Sequence, residues 1–191
     1  MASRKDIISL PHPSLRTKSL RVHVITDETR TLIEDMRSAA LDWEDSRPHE
    51  IAVALAAVQI NRLEKVVIIR SDFEDKENRH FTVLINPEIT KLEGNVITDH
   101  EGCLSVKDVY GAVPRNDKIR VKALDEEGLE VRAKAEGFLA RVLQHEIDHT
   151  NGICFVDHID KVEDAFFILT EKGELEPTPY ATVETAGILR D

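Results

Sequence analysis

The sequence predicts an α+β fold, with antiparallel or mixed sheets packed around a central helix. Two segments carry apolar residues at helical spacing, and several others alternate apolar and polar residues. The extended segments are grouped instead of interleaved with helices, which argues against a β-α-β repeat. At 191 residues with 41% apolar content, the chain can bury the core of one domain. We place that domain at 1–170 and treat 171–191 as an acidic tail, expected to be mobile.

Residues 6 to 20 contain Pro11 and Pro13 and open the chain irregularly. The first helix follows in "TDETRTLIEDMRSAALDWED", where Leu32, Ile33, Met36, Ala40 and Trp43 recur on one face. Asp27 and Glu28 suit the positive end of its dipole. "KVVIIRS" and "FTVLINPEI" read as strands on either side of the polar linker "DFEDKENRH". "DKIRVKALDEEGLEVRAKAEG" alternates on both sides of "DEEG" and predicts a hairpin. The second helix is "GFLARVLQHEIDHTNG", closed by Asn151 and Gly152. Its apolar rows, Phe138/Val142 and Leu139/Leu143/Ile147, cover more than one face, so it belongs at the centre of the fold. The tail starts from an apolar piece, 165–169, and ends in "EPTPYATVETAGILRD".

Apolar runs such as Val66-Val67-Ile68-Ile69 fall far short of the ~20 residues of a membrane span. The N-terminus shows no apolar signal region, so a soluble, cytoplasmic protein with no membrane partner is expected. A net charge of −11 argues against a direct nucleic-acid grip, which needs clustered cations. The two cysteines, Cys103 and Cys154, point to ligand or core roles over a disulfide.

The chemistry concentrates in "HEIDHTNG". His145 and His149 lie four apart on a helix and can reach one ion, with Glu146 beside them to serve as a base. Two imidazoles need a third ligand. One zincin pattern places a third histidine where this chain has Phe155, so that pattern is excluded. The thiols remain: Cys103 in "EGCLS", next to Gly102, and Cys154 in the apolar run "GICFVDHI", which reads as core.

"EGCLS" at 101–105 and "QHEIDHTNG" at 144–152 together closely resemble peptide deformylase, with 41 residues between Cys103 and His145. "HPSLR" at 12–16, "LAAVQ" at 55–59, "VPR" at 113–115 and Asp157, expected in a strand after the helix, extend the resemblance over about residues 6 to 160. It implies a metallo-amidase that releases formate from N-formylmethionine of new polypeptides, with transient ribosome contact. It implies that Cys103, His145 and His149 hold one divalent metal on the central helix, Fe(II) expected and zinc or nickel accepted. Glu146 would be the base, and Gln59 with the Leu104 N–H would steady the oxyanion. Glu101, Arg115 and Asp148 would pair behind the ligands. Val53, Ala54, Phe138 and Val142 would line the slot for methionine.

The chain departs from the family pattern where Ala52 and Ala54 replace two glycines, and Thr150 replaces a leucine. The two alanines add bulk and disfavour positive φ, so an altered substrate or reduced activity is the alternative. A structural Cys2His2 zinc domain, completed by Cys154, is a third reading.

Overall fold

The computed structural model describes all residues except 48–49, 74, 160–163, 171–172 and 191. Helix α1 spans Asp27–Asp45 and starts at Thr26, whose hydroxyl accepts the Thr29 N–H. Its Leu32, Ile33 and Met36 are fully buried. Each such side chain removed from water contributes about 1.5–3 kcal/mol. Strands β1 (Ala54–Ala56), β2 (Val66–Arg70), β3 (Phe81–Cys103), β4 (Val106–Leu124), β5 (Glu130–Glu136), β6 (Phe166–Leu169) and β7 (Leu175–Thr178) form one sheet in which every strand pair is antiparallel. Its order is β1-β2-β3-β4-β6-β7, with β5 added to β4.

Strand β3 runs well past residue 89, where "FTVLINPEI" ends. Asn86 has φ +54° and Gly94 φ +72°, and the β3–β4 register shifts between Ile85 and Glu88, Ile89 and Lys91, and Glu93 and Val96. These bulges break the period-2 pattern, so the far half does not read as a strand. They also bend the hairpin. One half of it faces α2 (Gly137–Thr150), and the other pairs with β6.

Helix α2 is central, as its two apolar rows imply: Ala140 through Ile147 are all buried, Arg141 and Gln144 included. Beyond the Asn151 cap, Gly152 has φ +71°, and a Cβ there would lie 2.6 Å from the Arg16 carbonyl oxygen. Only glycine suits that position. The "HPSLR" segment packs here because Arg16 Nη1 donates to Asp157 Oδ2 at 2.5 Å. Asp157 does not lie in a strand. Its Oδ2 accepts the Cys154 N–H at 2.8 Å, and its own N–H donates to the Cys154 carbonyl at 2.9 Å, which curls residues Phe155–His158 into a 3₁₀ turn.

The described residues of the acidic tail make regular contacts with the domain. Strand β7 pairs along β6, and α3 (Tyr180–Thr185) follows. Val183 and Ile188 are buried with Leu15, Phe155 and Phe166, while Arg16 Nη2 donates to the Ile188 carbonyl at 2.9 Å. Two apolar anchors in a polar segment suffice to hold it. Ile188→Ala is accordingly expected to cost about 2 kcal/mol or more, at the low end for a buried isoleucine, read as a lowered urea midpoint.

Candidate metal centre

The chain folds so that two elements deliver three ligand atoms to one point. Strand β3 ends at Cys103, where a two-residue turn, Leu104 and Ser105, reverses the chain into β4. Helix α2 brings His145 and His149, one turn apart on one face. The Cys103 Sγ lies 3.2 Å from His149 Nε2, which lies 3.2 Å from His145 Nε2. All three ligand atoms fall within 4.8 Å of one another.

Ring orientation follows from the neighbours. Glu101 Oε2 sits 2.9 Å from His145 Nδ1. An ionised carboxylate only accepts, so the Nδ1 carries a proton and the Nε2 is turned toward the ligand cluster. Burial opposes ionisation of Glu101, but the hydrogen bonds and charges of His145 and Arg115 overcome it and hold the carboxyl well below its ordinary range. Burial also pushes His145 down, yet Cys103 and Glu101 outweigh it and favour a positive charge there. His149, buried beside His145, is held well below its ordinary value. Soft sulfur and two imidazole nitrogens suit a divalent transition metal.

Glu146 is buried next to the ligands, and its Oε2 has no hydrogen-bond partner among the described residues. Burial pushes its carboxyl up to about 7; the His145 charge opposes this and Glu101 adds to it. Gln59 is also buried. Its Oε1 accepts the Ala56 N–H at 2.8 Å, which turns the amide NH2 toward Ser105 Oγ at 3.2 Å and Cys103 Sγ at 3.5 Å.

A cleft of about 290 Å³ opens over these groups. Val53, Ala54, Leu104, Phe138 and Val142 line it, so each residue expected in the substrate slot or oxyanion turn faces it. Ala52 and Ala54 are buried, and neither is among the positive-φ residues. The backbone here does not demand glycine. The Ala52 N–H donates to Glu44 Oε2 at 2.9 Å, and Glu44 pairs with the fully buried Arg70 at 2.6 Å, which anchors this wall to α1. Thr150 is harmless to the site, because its hydroxyl donates back to the Ile147 carbonyl at 2.7 Å.

Arg115 grips Glu101 through Nε at 3.0 Å and Nη2 at 3.1 Å, and reaches Asp148 with Nη1. His158 also bonds Asp148, at 2.7 Å. Burial works against the Asp148 carboxylate, but these two partners keep it below its ordinary range. His158 and Arg141 were not singled out in the sequence. Arg141 lies in "GFLARVLQHEIDHTNG" and His158 in "GICFVDHI", but nothing in their spacing marks either.

Cys154 lies behind the site. Its Sγ is fully buried and 4.0 Å from His149 Nδ1, on the far side of the ring from Nε2. Burial pushes its thiol up to about 12. A four-ligand structural site would need that sulfur beside Cys103. Cys154→Ala is therefore expected to retain one equivalent of metal, measured by elemental analysis, and loss of the metal would restore the structural reading.

Fold and site together define the class of a metal-dependent hydrolase, with three side chains that could hold a metal and a buried carboxylate beside them. The family model for polypeptide deformylase matches residues 4–165, and the chain belongs to that family. A peptide deformylase of Thermomicrobium roseum is 40% identical over 173 residues, covering 89% of this chain and 94% of the relative. One from Psychrobacter cryohalolentis is 38% identical over 186 residues, covering 91% and 96%. Among solved structures, a Synechococcus elongatus peptide deformylase in complex with actinonin superposes with a TM-score of 0.71 at 36% identity, covering 81% of this chain and 79% of that one.

Proposed function

We propose that this chain hydrolyses the formamide bond of N-formylmethionyl peptides, releasing formate and a free amino terminus. The observation that carries the reading is the buried, unpartnered Glu146 carboxylate beside the Cys103, His145 and His149 ligand atoms, at the base of an apolar-walled cleft. Cys103 Sγ and the two Nε2 atoms would hold the metal, with Fe(II) as the proposed native ion and zinc or nickel as substitutes. When bound, the divalent ion supplies Lewis-acid polarisation of water and of the formyl oxygen.

The protein's own groups do the rest. Strand β1 ends the sheet beside the cleft, which offers an extended peptide a backbone edge to lie against. Val53, Ala54, Phe138 and Val142 take the methionine side chain, which they desolvate without fixing by hydrogen bonds. Glu146 accepts a proton from water as its oxygen joins the formyl carbon. The C–N bond then breaks, and Glu146 passes that proton to the departing amine. A carboxyl held up to about 7 is suited to both transfers near neutral pH. The Gln59 amide and the Leu104 N–H donate to the oxygen that gains charge. Glu101 fixes the His145 tautomer, and Arg115 and Asp148 hold Glu101 in turn.

The proposed setting is the cytoplasm, where formylated chains leave the ribosome, and contact with the ribosome is transient. No helix among the described residues is long and apolar enough to cross a membrane. The test is formate release by Fe(II)-loaded protein, prepared without oxygen to protect the thiol. A formyl-Met tripeptide is expected to be cleaved and its N-acetyl analogue spared. Equal cleavage of both, or of neither, would refute the assignment.

A further inference from the structure

We infer that Arg141 is a positioning residue that sets the metal affinity of the site by holding Glu101 against His145; this rests on the metal-binding role proposed for Cys103, His145 and His149. Arg141 lies one helical turn before His145 on α2 and is 7% exposed. A buried arginine on an apolar helix must place its donors well. This one does. Its Nη1 donates to Glu101 Oε1 and to the Val113 carbonyl, both at 2.8 Å, and its Nη2 donates to the Ile97 carbonyl at 2.7 Å.

Those acceptors sit on the two strands that carry the rest of the machinery. Ile97 and Glu101 belong to β3, which ends in Cys103, and Val113 belongs to β4, paired with Asp99 of β3. The guanidinium therefore ties the histidine-bearing helix to both strands of the cysteine-bearing hairpin. It also completes the grip on Glu101. Arg115 holds that carboxylate from β4, with Nε on Oε1 and Nη2 on Oε2. Arg141 holds Oε1 from the same helix as His145, which leaves Oε2 aimed at His145 Nδ1. Helix, carboxylate and imidazole are thus fixed as one unit. A planar fork can serve acceptors in these separated directions, whereas the compact ammonium of lysine cannot span them.

The experiment is Co(II) titration of metal-free protein, followed by visible absorption, for wild type, Arg141→Met and Arg141→Lys. Thermal unfolding is measured in parallel, and each variant is also made with Glu101→Gln. Arg141→Met is expected to weaken Co(II) binding by about 10–100-fold and to shift the absorption bands, with Arg141→Lys recovering part of both. In the Glu101→Gln background the loss caused by Arg141→Met is expected to shrink, because the arginine acts through that carboxylate. Parental Co(II) affinity and bands in Arg141→Met, whatever its melting temperature, overturn the inference. So do effects that multiply independently of Glu101→Gln. Should Arg141→Met fail to fold, parental binding by folded Arg141→Lys overturns it equally. Formate release is read on the same wild-type preparation. Co(II) binding without formate release defeats the deformylase reading and leaves this inference standing, and a wild type that binds no Co(II) defeats both.

Discussion

Glu146→Ala is expected to lower kcat/KM for a formyl-methionyl peptide by about 10²–10⁴-fold, the range typical of a lost general base, with metal content unchanged. The two halves of that result come from separate features. The activity falls because, among the described residues, the only carboxylate buried at the cleft with an unpartnered oxygen is removed. The metal stays because Glu146 supplies none of the three clustered ligand atoms. Its removal is also unlike most buried deletions in its effect on folding. A group that burial pushes up to about 7 gains little from the folded environment, so the alanine variant should fold at least as readily. Steady-state kinetics and elemental analysis on one preparation check both halves. A variant that keeps wild-type kcat/KM would remove Glu146 from the mechanism.

Cys103→Ala is expected to abolish both metal retention and formate release. Two imidazoles remain in that variant, and they are held 3.2 Å apart at Nε2 with nothing to complete the set. The affinity loss should exceed the roughly 10–100-fold that follows loss of an outer partner, because a direct bond is removed. The sulfur also accepts the Ser105 N–H at 3.4 Å, so the turn that presents Leu104 loosens with it. Equilibrium dialysis against Fe(II) under argon measures the first effect, and formate assay the second. Retention of one equivalent of metal at wild-type affinity would show that the ligand set is drawn from other residues.

Much of this architecture is legible in the residues alone, because local rules and tertiary packing agree there. Helix α1 has its cap, its acidic first turn and its apolar row in register with the core. The β4–β5 hairpin alternates on either side of Gly128, which takes φ +84° in the turn. Strand β3 past residue 89 is not legible, since Asn86 and Gly94 reset its alternation and Leu92, Val96 and Ile97 face outward. The packed tail escapes notice for a different reason. Its composition is polar, and Val183 and Ile188 are too few to form a period, although they suffice to reach an existing core.

The site divides in the same way. His145, Glu146 and His149 declare themselves by helical spacing, a local property. Cys103 and Gln59 reach them only through the turn after β3 and the 3₁₀ turn Ala57–Ile60, so no spacing rule connects them, and the deformylase motifs were needed. Arg141 shows the limit most clearly. An arginine in a helix ordinarily reads as solvated charge, and its burial depends on carbonyls contributed by two distant strands.

The central claim is that one metal ion, held by Cys103, His145 and His149, makes this chain a deformylase. The most direct test is titration of metal-free protein with Fe(II) under argon while formate release from a formyl-Met tripeptide is followed. The account predicts negligible release before addition, a linear rise, and a plateau at one equivalent. Full activity in the presence of a strong chelator, or a protein that binds one equivalent and releases no formate, would contradict it.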